Sequence, residues 1–167
     1  MQPYPVDPGE LREAMGRWPS GVTVVTTADP ATGRPWGFTA TSFTSLSMRP
    51  PLVLVCLDLG AECRPAFQRA AGFAVHILRS GQRGTAERFA TRGADKFADG
   101  VGVRRGLYDV PLLDGAAATL ECRLTERLPG GDHLILIGAV QRVTPGPDEP
   151  LLYHRRAFVE LPAPALG

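Results

Sequence analysis

The chain has 167 residues, 44% of them hydrophobic and 21% charged, which suits one soluble domain with a sizeable core and is too short for two full-sized ones. Eighteen basic residues against seventeen acidic ones leave a formal net charge of +1, so no general electrostatic field draws the protein to nucleic acid or to an anionic membrane. No stretch nears the roughly 18 continuous apolar residues of a membrane helix, and the opening residues are neither basic nor apolar; a single cytoplasmic domain over residues 1–167 is expected.

Asp7 to Trp18 reads as a helix: Leu11, Ala14, Met15 and Trp18 recur at three- and four-residue steps. Pro8 suits its first turn, and Asp7 with Glu10 has capping-box spacing. Pro19 and Gly21 end it. Val22 to Thr27 is β-branched and strand-like, the turn residues from Ala28 to Pro35 reverse the chain, and Trp36 to Phe43 is the returning strand. After Pro50-Pro51 the run Leu52 to Leu57 is apolar on both faces, as in a strand within a covered sheet. Short helices over Glu62 to Ala70 and Arg83 to Arg92 flank a third apolar strand, Phe73 to Leu78.

From Thr119 the alternation points Leu120, Cys122 and Leu124 one way and Glu121, Arg123 and Thr125 the other. Pro129 to Asp132 is a turn, His133 opens the run Leu134 to Val140, and a last strand covers Leu151 to Leu161. Six or more strands with about three short helices, without regular alternation, make a mainly β protein: a β-barrel with helical additions.

Cys56, Cys63 and Cys122 are an odd number without Cys-x-x-Cys spacing, against both a disulfide scaffold and a structural zinc site. Cys56 and Cys122 are expected to pack as small apolar groups. His76, His133 and His154 lie far apart, and no metal site is expected. Gly100, Gly102 and Gly106 imitate a dinucleotide-binding glycine loop, yet the preceding Thr91 to Asp99 is polar and no apolar helix follows, so a surface loop is the better reading. Lys96, the only lysine, is conspicuous. The hydroxyl-rich stretch Thr39-Ala-Thr-Ser-Phe-Thr-Ser45 is either an edge rich in good strand and turn formers or a shelf of N–H and hydroxyl groups for a polar planar ring, with Ala40 small enough to admit it.

Several segments resemble one family in order and spacing: Arg17-Trp-Pro-Ser-Gly-Val-Thr-Val-Val-Thr26, Gly37-Phe-Thr-Ala-Thr-Ser-Phe-Thr-Ser-Leu-Ser47 and Pro50-Pro-Leu-Val-Leu-Val-Cys-Leu-Asp58. Phe73 to Leu78, Arg88-Phe-Ala90, Lys96-Phe97, Leu113-Asp-Gly115, Leu120-Glu-Cys122, Gly131-Asp-His133 and Pro150 to Arg155 follow. Together they resemble the short-chain flavin reductases of two-component monooxygenase systems, over nearly the whole chain. That resemblance implies an FMN-binding split barrel, a homodimer with flavin near the subunit interface, and hydride transfer from NADH or NADPH to the N5 of FMN or FAD. A separate flavin-dependent monooxygenase would receive the reduced flavin. A protein that retains FMN for electron transfer and a recruited tailoring oxidase are the alternatives.

By the same resemblance Thr39, Ala40, Thr41 and Ser42 line the isoalloxazine, and Ser45, Cys56, Asp58 and Ala61 touch the ring or its ribityl-phosphate chain. Arg88, Lys96 and Phe97 serve the phosphate or adenylate end. His133 stands beside nicotinamide and flavin as the catalytic candidate, and Tyr153 and Arg155 lie at the pocket rim. The chain departs from the family at Gly60, where a serine is common, at Ala118-Thr119, which lack the usual tryptophan, and at His76, often asparagine; a Gly60 N–H is expected to replace the serine contact.

Overall fold

The structure is a computed structural model and describes residues 5–102 and 104–162. Its first half runs through helix α1 (Pro8–Gly16), strands β1 (Ser20–Gly21), β2 (Thr23–Ala28), β3 (Pro35–Ala40), β4 (Thr44–Met48) and β5 (Pro51–Asp58), helix α2 (Arg64–Arg69), strand β6 (Gly72–Ile77) and helix α3 (Arg83–Ala90). Two short strands follow, β7 (Arg104–Arg105) and β8 (Pro111–Leu112), then the long pair β9 (Ala118–Gly130) and β10 (His133–Pro145), then β11 (Leu151–His154) and β12 (Ala157–Glu160).

Seven strands form one antiparallel sheet in the order β3-β2-β6-β9-β10-β5-β4. Ala40 from one end of that order and Val53 and Val55 from near the other share a core with Val25, Phe73, Cys122 and Leu136, so the sheet is rolled around one interior. Phe67 of α2 fills that interior and meets Phe38 edge-on at 5.2 Å. Gly138 sits at a register shift between β9 and β10, where an added Cβ would lie 2.5 Å from the Phe73 ring. A bulge there bends the strand, and only glycine lets the ring approach. A second core of Val22, Val24, Leu78, Phe89, Leu113 and Leu151 joins the barrel to α3 and to the sheet β1-β11-β12.

Several expectations need correction. Helix α1 has its cap, Asp7 accepting from Gly9 N–H and Glu10 N–H, but it buries no side chain. Its polar face meets the β11–β12 turn, leaving Leu11, Met15 and Trp18 exposed. The strand read as Trp36 to Phe43 stops at Ala40, and β4 is a separate strand. Only one face of β5 is fully covered: Val53, Val55 and Leu57 are buried, whereas Leu52, Leu54 and Cys56 are half-buried. Cys56 is therefore a partly exposed wall residue, while Cys122 is buried.

Glu121, read as facing away from the core, is 2% exposed because residues 106–112 cover it. Its carboxylate accepts from Leu107 N–H at 2.6 Å and Arg142 at 3.2 Å. Pro129 and Gly130 belong to β9, so the hairpin loop is only Gly131-Asp132, with Gly131 at φ 65°. The single strand over Leu151 to Leu161 is instead the β11–β12 hairpin, reversed at Arg155-Arg156. Its turn carries no glycine or asparagine, so the sequence gives no sign of it. No helix among the described residues is long and apolar enough to cross a membrane.

Candidate active site

At the end of the barrel where β3 and β5 finish lies a groove of about 520 Å³. One wall is Trp36 to Ser42, and the other is Cys56, Leu57, Asp58 and the loop Gly60 to Cys63. Ala90 at the end of α3 and Arg92 and Lys96 beyond it border the groove, and His133 closes one edge.

Sheet register explains much of this convergence. His133 pairs with Asp58 and Ile135 with Cys56, so the start of β10 and the end of β5 meet at one level. Leu59 N–H donates to Asp132 O at 3.0 Å and ties the two loops together. The β4–β5 ladder begins only at Thr44 and Leu54. Beyond it the Ser42 hydroxyl takes over, accepting from Cys56 N–H at 3.1 Å and donating to Cys56 O at 3.3 Å. Thr39 donates its hydroxyl to Ala86 O at 2.7 Å and fastens α3 across β3. Gly37 permits this approach, since a Cβ there would lie 2.8 Å from the Phe89 ring.

Asp58 accepts from Gly60 N–H at 2.6 Å and, through its carbonyl, from Ala61 N–H at 3.1 Å. The Gly60 N–H expected to serve a ligand is thus already engaged. Glu62 accepts from Gly93 N–H at 3.0 Å and Arg92 donates to Gly60 O at 3.4 Å, which straps the segment after α3 over the 60–63 loop. Lys96 donates to Thr91 O at 3.0 Å while lining the groove. Burial pushes the Cys63 thiol up to about 11, so it remains neutral. The hydrogen bond between His133 Nδ1 and Asp132 Oδ1, 2.6 Å long, holds the Asp132 carboxyl below the usual carboxylate range. His133 Nε2 has no hydrogen-bond partner among the described residues.

The groove therefore brings together Thr39, Ala40, Thr41, Ser42, Cys56, Asp58, Ala61, Lys96 and His133. Other candidates lie elsewhere. Ser45 is exposed on β4 opposite Val53. Arg88 is half-buried on α3 outside the groove lining. Phe97 packs edge-on against Phe89 at 5.2 Å and borders an adjoining cavity of about 420 Å³, which shares Trp36, Gly37, Glu62 and Lys96 with the groove. Tyr153 packs against Phe158 at 5.3 Å, and Arg155 lines a separate cavity. Trp36, Glu62 and Arg92 were not identified from the sequence. Trp36 opens the hydroxyl-rich strand and was within reach of that motif; Glu62 and Arg92 act through chain reversals that leave no local pattern.

A rolled antiparallel sheet with a shallow groove at one end, walled by small side chains, hydroxyls and backbone, defines a mainly β split barrel suited to a flat polar ligand. The flavin reductase like domain matches residues 15–162. The actinorhodin polyketide dimerase of Streptomyces coelicolor is 48% identical over 93% of this chain and 87% of its own. The NADH:riboflavin 5'-phosphate oxidoreductase of Streptomyces pristinaespiralis is 43% identical over 92% and 88%. The solved NADH:FAD oxidoreductase SgcE6 of Streptomyces globisporus, in complex with NAD and FAD fragments, superposes with a TM-score of 0.87 at 38% identity, covering 98% of this chain and 99% of that one. The chain belongs to the flavin reductase-like family.

Proposed function

We propose that the protein reduces flavin, FMN or FAD, with NADH or NADPH and hands the reduced flavin to a separate flavin-dependent monooxygenase. The observation that carries this reading is the groove in which the hydroxyl-rich end of β3, the end of β5 and the Asp132–His133 pair converge. Ala40 and Ala61 leave space for a flat ring, and exposed Thr41 offers a hydroxyl at its rim beside Ser42, whose own hydroxyl clasps Cys56. The volume lies within the range of small-ligand sites. A bound flavin supplies the electron-accepting ring, and the nicotinamide supplies the hydride.

The protein's own contribution is orientation and charge. Lys96 brings a cation to the end where a phosphate chain would leave the groove. His133, its ring fixed by Asp132, stands at the edge where a nicotinamide would stack, and Nε2 is its unengaged nitrogen. Cys56 and neutral Cys63 serve as wall. The reading includes a homodimer, and relatives such as the reductase component of a 4-nitrophenol monooxygenase from Rhodococcus opacus, 42% identical, support an oxygenase as recipient.

The 48% identity to a polyketide dimerase favours a second reading, in which flavin is kept and used on an organic substrate. Steady-state assays with each nicotinamide and each flavin separate the two. A colourless preparation that turns over added flavin is the expected result. No NAD(P)H oxidation with either flavin would overturn the proposal, and a yellow preparation with stoichiometric flavin that resists exchange would favour the second reading.

A further inference from the structure

A second cavity of about 520 Å³ lies between the polar face of α1 and the β11–β12 turn, and it shares no lining residue with the groove. Arg12 and Arg17 enter it from the α1 side and Arg155 and Arg156 from the turn, against one carboxylate, Glu13. Four arginines and one glutamate place three net positive charges here, in a chain whose whole formal charge is +1. Glu13 is engaged by Arg17 at 3.3 Å, and Arg12, Arg155 and Arg156 have no ion pair among the described residues.

The arginines are brought together by the backbone. Arg155 N–H donates to Gly16 O at 2.8 Å and docks the turn on the end of α1. Both turn residues hold positive φ, 49° at Arg155 and 63° at Arg156, a region that glycine and asparagine occupy with less strain. Two arginines in that conformation cluster cations that repel one another in the absence of an anion. The two-residue turn between His154 and Ala157 requires positive φ at both central positions, and so sets the two arginines side by side. The guanidinium fork matches phosphate oxygens in pairs, and four arginines around one carboxylate suit a multivalent anion.

We propose that this cavity is a binding site for a pyrophosphate group, free or carried by a nucleotide. The site does not depend on the flavin reading of the groove. Its test is calorimetric titration of the full chain with inorganic pyrophosphate, with ADP, and with adenosine. Wild type should bind pyrophosphate saturably at constant ionic strength, and R12A/R156A should bind it at least about tenfold more weakly, the loss expected when two charge-assisted contacts go. E13Q, which removes the one carboxylate among the described lining residues from an exposed position, should bind it more tightly.

ADP binding more tightly than pyrophosphate would identify a nucleotide as the source, and equal binding would identify the bare anion. Absence of saturable binding by wild type, equal affinity in R12A/R156A, or adenosine binding as well as ADP would overturn the proposal. Tm and far-UV circular dichroism should be the same in R12A/R156A as in wild type, which reports intact folding independently of the anion and of flavin turnover.

Discussion

His133 is the first residue of β10, paired with Asp58 across the sheet and held through Nδ1 by Asp132 at 2.6 Å. Both partners are substantially exposed, so removing the imidazole should leave the fold intact. A group that positions the nicotinamide acts on its binding and on the approach of the hydride. His133→Ala should therefore raise the NAD(P)H KM and slow flavin reduction in rapid mixing, with flavin affinity and Tm at wild-type values; His154→Ala should change none of these. Wild-type rate and KM in the His133 variant would remove it from the site. Lys96 is different in kind, because a charge remote from the reacting atoms contributes uniform binding. Lys96→Ala should raise the flavin KM about tenfold with kcat nearly unchanged. An unchanged KM for both FMN and FAD would leave Lys96 with only its bond to Thr91 O.

At the scale of elements, His76 ties β6 to β2 and to the residue that follows β8. Fully buried on β6, it donates from Nδ1 to Val24 O on β2 and accepts at Nε2 from Leu113 N–H, each at 3.1 Å. A carbonyl only accepts and a backbone N–H only donates, so the neutral Nδ1–H tautomer alone satisfies both. Burial lowers its pKa from 6.5 to about 4. Above 6.5 neither state is protonated and the full stability is present; between 6.5 and about 4 the unfolded chain takes up a proton that the folded one refuses. Stability should fall by about 3 kcal/mol as pH drops through that window and then level off. His76→Asn should flatten this dependence in denaturant melts, and an unchanged slope in the variant would assign the acid sensitivity to other groups. The same elements show what the sequence made legible. Strict alternation in β9 and the apolar run of β10 announced the long hairpin, and the hydroxyl-rich end of β3 announced a groove wall. The clasp of Ser42 on Cys56, the strap from Arg92 to Gly60 and the covering of Glu121 depend on contacts between distant segments, which no local period encodes.

The whole molecule leaves one sheet face unfinished. Opposite the buried row Val53, Val55 and Leu57, the outward residues Leu52, Leu54 and Cys56 of β5 pair with Ala139, Ile137 and Ile135 of β10, and Ile135 pairs in turn with Leu128 of β9. Most of this row is only half-covered, and Leu128 is 40% exposed. A contiguous apolar surface on a sheet is uncommon on a soluble monomer and marks an interaction face. A second copy meeting it about a two-fold axis would place the same face on itself, as an isologous contact requires. Cys56 also lines the groove, so such a dimer would lie against the site. Light scattering at micromolar concentration should give about twice 17.9 kDa. Leu128→Glu, at an exposed position where a charge leaves the monomer fold undisturbed, should shift the protein toward half that mass and weaken flavin turnover with it. Wild-type protein that scatters as a monomer while reducing flavin at full rate would show that this face is not the interface.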